Sequence, residues 1–168
     1  LDTLNHVIKT LQDNLSAATD PFYPLYATPA PLAALLEKGF LGQKTGSGFY
    51  KKVGKDILNF DPKTGDYVAG GRKADDIVVR MLKKPASERL KLLREASNPQ
   101  AQFVWSVIRE GLHYAALHLA DIAETARDVD EAMRWGFGMA QGPFELWQEA
   151  GWQAVANMIN EDIAAGKT

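Results

Sequence analysis

No proline stands between Pro99 and Pro143, and across most of that interval Phe103, Val104, Val107, Ile108, Leu112, Ala115, Leu119 and Ile122 recur every three or four residues. That spacing places them in one stripe along a helix. Asn98 is a favoured N-cap and Pro99 suits a first helical position, so the pattern predicts a single long helix from there to about Ala126. One such helix cannot bury its own stripe, so the rest of the chain must supply partners. Most of it reads as helical. Leu1, Leu4, Val7, Ile8, Leu11 and Leu15 predict a helix over 1–15, and Pro31 with Gly39 brackets another over Leu32 to Lys38. Two short helices broken at Pro85 are predicted over 72–94. Asp128, with Glu131 three residues on, predicts a helix stopped at Gly136; Gly142-Pro143 starts the next, which Gly151 ends, and a last helix runs from Trp152 to about Ala165. The expected fold class is mostly α.

The exception lies before the long helix. Prolines 21, 24, 29 and 31 forbid a continuous helix over 20–31. Between turn signals at Val53-Gly54-Lys55 and Asp61-Pro62-Lys63-Thr64-Gly65, the runs Phe49 to Lys52, Ile57 to Phe60 and Tyr67-Val68 predict a small antiparallel hairpin or meander, near residues 48–68.

Composition excludes whole classes of function. With 19 Lys+Arg against 21 Asp+Glu in 168 residues, the formal net charge of −2 argues against nonspecific nucleic-acid or polybasic membrane binding. Zero Cys removes disulfides, thiolate metal sites and Cys nucleophiles. Apolar runs are too short to insert in a membrane, and Leu1-Asp2-Thr3 does not open a signal peptide, so a cytoplasmic or organelle-matrix address is expected. Leu1 is already a core-type residue without an initiator Met, which reads as a piece of a longer polypeptide. Leu1, Leu4, Val7 and Ile8 also share their spacing with Trp152, Val155, Met158 and Ile159, although the polar identities differ.

Spacing alone yields no active site. Gly42-Gln43-Lys44-Thr45-Gly46-Ser47-Gly48 is not a Walker loop, because Gln43 separates Gly42 from Lys44 and a helix, not a strand, precedes it. Its freed N–H groups with Lys44 could meet a phosphate or a carboxamide, but spacing favours a tight turn launching Phe49-Tyr50. Gly136-x-Gly138 follows a helix and is one residue too long before Gly142 for a dinucleotide fingerprint. Glu110-x-x-His113 has the spacing of half a di-iron site but no second copy, so no metal is expected. The basic stretch 72–94 could touch a polyanion such as coenzyme A; a solvated helix face is the simpler reading.

Two segments carry a resemblance. Gly42-Gln43-Lys44-Thr45-Gly46-Ser47-Gly48-Phe49-Tyr50 resembles a Gly-x-Lys-Thr-Gly-x-Gly-Phe-Tyr signature of 3-hydroxyacyl-CoA dehydrogenases. Asp128-Val129-Asp130-Glu131-Ala132-Met133, continuing through Gly136-x-Gly138 to Gly142-Pro143-Phe144-Glu145-Leu146, is similar to a second signature of their C-terminal helical domain. The resemblance spans essentially residues 1–165 and implies a 6-phosphogluconate-dehydrogenase C-terminal-like helical fold. Two such units in tandem are similar to the multifunctional fatty-acid oxidation proteins. Residues 1–70 would then be the remainder of a first helical unit, 71–97 a basic helical connector and 98–168 a second unit.

The family oxidises the 3-hydroxyl of an (S)-3-hydroxyacyl-CoA, passing hydride to NAD while a His, oriented by a Glu, takes the proton. An imidazole accepts the proton and a carboxylate fixes its tautomer. The resemblance implies that those catalytic residues and the NAD fingerprint belong to a Rossmann domain expected upstream of Leu1. This chain alone would be inactive and would not hold NAD tightly. What remains would line part of the acyl-CoA pocket and form a dimer or pseudo-dimer contact. Lys44 matches the family's Lys that reaches toward NAD, and Trp135 occupies an aromatic position that faces substrate in multifunctional relatives. The alternative is a stand-alone helical interaction or oligomerisation module.

Overall fold

A computed structural model describes residues 1–71 and 73–168. Arg72, the first cation of the basic stretch, lies outside the described residues. The chain divides into two compact units, Leu1–Arg72 and Lys73–Thr168. It is mostly α with one small sheet.

The first unit begins with α1 (Asp2–Asn14). The proline-rich segment that follows makes one 3-10 turn, Tyr23–Tyr26, and leads into α2 (Ala30–Glu37), which has Pro31 in its first turn. A second 3-10 turn, Gln43–Thr45, precedes β1 (Tyr50–Val53), β2 (Asp56–Phe60) and β3 (Tyr67–Ala69). The strands pair antiparallel in the order β1-β2-β3, with Tyr50 opposite Asn59 and Asn59 opposite Val68. This is the predicted meander. Its second turn closes through Asp61, whose carboxylate accepts the Lys63 N–H at 2.9 Å while its backbone pairs with Gly65 and Asp66. Leu32, Leu35, Phe22 and Phe60 are buried here. Each such side chain removed from water is worth about 1.5 to 3 kcal/mol.

The second unit holds α3 (Asp76–Leu82), α4 (Ala86–Glu95), α5 (Pro99–Ile122), α6 (Ala126–Phe137), α7 (Pro143–Glu149) and α8 (Trp152–Ala164). As the sequence predicts, Pro85 separates α3 from α4, and Asn98 caps α5, its side chain accepting the Gln100 and Ala101 N–H groups. Ala101, Trp105 and Leu112 of α5 are buried with Val78, Ala86, Leu90, Leu93, Ala150, Val155 and Ile159 in one cluster. Residues of α3 and α4, within the basic stretch, therefore belong to this core.

Two boundaries differ from expectation. α5 stops at Ile122 instead of Ala126, because Thr125 takes the N-cap of α6: its hydroxyl accepts the Asp128 N–H and the Asp128 carboxylate accepts the Thr125 N–H. Asp128 is thus the third residue of the helix and not its cap, and Glu131 pairs with Arg127 at 2.8 Å. α6 also runs past Gly136 to Phe137, ending where Gly138 adopts a φ of 66°.

Candidate functional site

Backbone contacts account for the glycines around Lys44. The Gly42 N–H donates to the Ser47 carbonyl at 2.7 Å, and the Thr45 hydroxyl accepts the Leu41 N–H at 2.9 Å. Gly42 and Gly46 have φ values of 113° and 75°, which a side chain would strain. A Cβ on Gly48 would sit 2.8 Å from the Gly42 Cα, so that glycine is required by close approach. The Tyr67 hydroxyl donates to the Gly48 carbonyl at 2.6 Å, tying the turn to β3. This is a tight turn leading into β1. Lys44 itself has no part in closing it. Its ammonium points outward to the Asp2 carboxylate of α1, both side chains being substantially exposed. The hydrogen bond from Lys44 holds the Asp2 carboxyl down at about 2, against an ordinary 3.8.

The second signature is accounted for by one corner between α6 and α7. The Asp130 carboxylate accepts the Phe144 N–H at 2.8 Å and the Glu145 N–H at 3.1 Å, satisfying the unpaired donors at the start of α7. The Glu145 carboxylate accepts the Gly142 N–H at 2.9 Å and pairs with Arg134 at 3.1 Å. Burial pushes the Asp130 carboxyl up, more than the Phe144 and Glu145 N–H groups pull it down. The conspicuous acidic residues here hold a helix corner together.

Beyond that corner the surface turns apolar. Trp135 is 79% exposed and Phe137 76%, with Met139 exposed after them. On α7 and α8, Phe144 and Trp147 stack at 6.3 Å between centroids, and with Ala116 and Trp152 they line a recess of about 470 Å³. The Trp147 indole N–H donates to the Trp152 carbonyl at 2.7 Å, which fixes the ring. Lys44 belongs to the first unit and Trp135 to the second.

Glu110 and His113 are engaged with neighbours in the chain. Glu110 pairs with Arg109 at 2.7 Å and accepts the Thr168 hydroxyl, while His113 Nδ1 lies 3.0 Å from that same hydroxyl. Desolvation pulls the His113 imidazole below its ordinary value. Among the described residues, no group of three or more His, Asp or Glu is arranged to hold a metal ion. Nor is any helix among them long and apolar enough to cross a membrane.

Two buried carboxylates escaped the sequence reading. Asp162, 0% exposed, accepts hydrogen bonds from Trp105 Nε1 at 2.8 Å, Arg94 Nη2 at 3.0 Å and Arg109 Nη1 at 3.2 Å. Burial alone would raise its carboxyl, but the bonds from Arg94, Trp105 and Arg109 outweigh it and hold the group below the ordinary range. Arg94 is thereby withdrawn from the basic stretch as a ligand contact. The signal was legible: Asp162 follows Val155 and Ile159 on the core stripe of α8, where an unpaired carboxylate would be costly. Asp20 is the other, accepting the Phe22 N–H and the Tyr26 hydroxyl, both at 2.8 Å, and so pinning the proline-rich segment.

Residues 103–167, from α5 through α8, match the family model of the 3-hydroxyacyl-CoA dehydrogenase C-terminal domain. A protein of Bacillus subtilis described as a probable 3-hydroxyacyl-CoA dehydrogenase is 32% identical over 162 residues, covering 96% of this chain and 20% of that protein. A Rickettsia felis protein described as a fatty acid oxidation complex trifunctional enzyme is 26% identical, covering 92% of this chain and 22% of its own length. The chain thus spans about a fifth of the length of the curated relatives it matches. No solved structure gives a significant match. The family match covers the α6–α7 corner, whose contacts explain why Asp130, Gly142 and Glu145 stand where they do, and over residues 103–167 the chain is similar to the C-terminal domain of 3-hydroxyacyl-CoA dehydrogenases.

Proposed function

We propose that this chain is the C-terminal substrate-binding and dimerisation portion of an NAD-dependent (S)-3-hydroxyacyl-CoA dehydrogenase of fatty-acid β-oxidation. In this reading the catalytic His and Glu and the NAD-binding Rossmann domain lie in polypeptide ahead of Leu1. Residues 1–70 are the remainder of a first helical unit, 71–97 the connector and 98–168 the second unit. The observation that carries the proposal is the family match over α5 to α8 together with the exposed Trp135 and Phe137, large apolar side chains available to an acyl-CoA or a subunit contact.

NAD, when bound, accepts the hydride. Lys44 is the residue that the signature offers for a contact to it: an exposed ammonium on a tight turn, held by a surface carboxylate that a phosphate can replace. One lysine is a contact and not a cofactor site, so this chain by itself binds NAD weakly and turns over nothing. In this reading the exposed Trp135 ring faces the substrate and offers it apolar surface.

The test uses the longer natural protein. Lys44→Ala should weaken NAD binding about tenfold, since a charged hydrogen bond is worth about 1.5 kcal/mol and each 1.4 kcal/mol is a factor of ten. Unchanged affinity removes Lys44 from the cofactor. The 168-residue chain, given NAD and (S)-3-hydroxybutyryl-CoA, should show no turnover; activity above background overturns the whole reading.

A further inference from the structure

Residues 166–168 are fastened to α5. Gly166, with a φ of 66°, closes the end of α8: its N–H donates to the Ile163 carbonyl and the Lys167 N–H to the Asp162 carbonyl, both at 2.9 Å. The turn brings the chain back against α5. There the buried Arg109 donates through Nη2 to the Lys167 carbonyl at 2.5 Å, and the Thr168 hydroxyl donates to the Glu110 carboxylate. The residue after such a glycine commonly makes an apolar contact with the helix it leaves. Lys167 instead sets its ammonium 3.7 Å from the Asp162 carboxylate.

Helix ends open more readily than helix middles, so an ion pair in the last turn of α8 stays dry only while something closes that end. Arg109 donates through Nη1 to Asp162 at 3.2 Å and through Nη2 to Glu110 at 2.7 Å as well as to the Lys167 carbonyl, and its Nε has no hydrogen-bond partner among the described residues. Losing that carbonyl would take one more acceptor from a buried guanidinium that already lacks one. Only water could replace it. The Trp105 indole donates to Asp162 Oδ2 at 2.8 Å, the same oxygen that Arg109 engages. Its N–H therefore reports whether water reaches the pair.

We propose that Gly166 to Thr168 form a strap that opens and closes over the Arg109–Asp162 pair, admitting water to it without unfolding the helices of the second unit. The strap is held by polar contacts at the surface, with the Lys167 side chain 58% exposed, and such contacts open locally. The body of α8 is held differently. Val155 and Ile159 anchor it in the cluster around Trp105 and Leu112, so it stays in place when the strap lifts.

The experiment measures hydrogen exchange of the Trp105 indole N–H by NMR in the 168-residue chain and in a form ending at Ala165. Shortening is expected to speed that exchange by at least about tenfold, while the core amides of Leu93 and Leu112 change by less than about twofold. Thr168→Val keeps the Lys167 carbonyl and loses the bond to Glu110, so it should give a smaller rise at the same indole. If the shortened form does not fold, Gly166→Ala serves instead: a Cβ there meets no atom within 4 Å, so the variant strains only the φ of 66° and disturbs only the strap. An indole rate unchanged by shortening, or by Gly166→Ala, overturns the proposal. A rise that the core amides share equally also overturns it, because residues 166–168 would then belong to the global fold and no separate strap would exist.

Discussion

Gly142 passes so close to Asp130 that a Cβ on the glycine would overlap the Cα and Cβ of the aspartate. Two residues that the sequence separates are thereby fused into one corner, because the same Asp130 carboxylate accepts the N–H groups of Phe144 and Glu145. Gly142→Ala should accordingly destabilise the second unit by about 2 to 3 kcal/mol, the usual cost of an added methyl that cannot be accommodated. Urea unfolding of the purified chain measures it; an unchanged midpoint would show that the corner yields.

Asp130 makes that corner sensitive to pH. Its carboxyl is raised by burial, so the folded chain holds the proton more tightly than the unfolded one. Its contribution is fully present below an ordinary pKa of 3.8 and lost as pH rises through the raised folded value. The stability of the natural chain relative to Asp130→Asn should therefore fall as pH climbs through that window, read from urea midpoints at pH steps above 4. A constant difference would contradict the assignment.

Asp162 works in the opposite direction. Its folded pKa is depressed, so its stabilisation is present above 3.8 and disappears as pH falls through the lower folded value. Asp162→Ala leaves Arg94 and the buried Arg109 without their shared carboxylate, a change expected to cost about 3 to 5 kcal/mol. Thermal melts check the size. The variant should also lose the part of the acid sensitivity that Asp162 supplies.

The pair between Lys44 and Asp2 can be titrated directly. With Lys44 in place the Asp2 carboxyl sits at about 2, and Lys44→Ala should return it toward 3.8. Carboxyl chemical shifts of Asp2 from pH 1.5 to about 5 follow the change. If the midpoint does not move, the lysine is not what holds it down.

Trp135 and Trp105 form a contrast. Trp105 is buried and donates its indole N–H to Asp162, whereas Trp135 lies in solvent. Trp135→Ala should leave stability within about 0.5 kcal/mol. Trp105→Ala should remove about 3 to 5 kcal/mol. Denaturant midpoints of the two variants decide; a large loss at Trp135 would mean that the residue is part of the fold and not of a docking surface.

The helices, the meander and the Asn98 cap were legible because their signals act within a few residues: periodicity, proline, glycine and a capping side chain. Where local reading slipped, a nearby rival won. Thr125 outcompeted Asp128 as the N-cap of α6, and Gly138, with its positive φ, outlasted Gly136 as the stop. The Lys-Thr-Gly turn was recognisable as a turn, but nothing in its spacing reveals that Lys44 faces Asp2.

Sequence alone determined the fold class, the run of elements and the two signatures, since backbone preferences and apolar spacing are properties of short stretches. Tertiary structure decided what the polar residues inside those stretches are for. Asp162 meets Arg94 across 68 positions and Arg109 across 53, and no local rule pairs groups that far apart. Only the packing of α4, α5 and α8 around one core brings them together, and burial then turns an ordinary aspartate into an ion that must be matched.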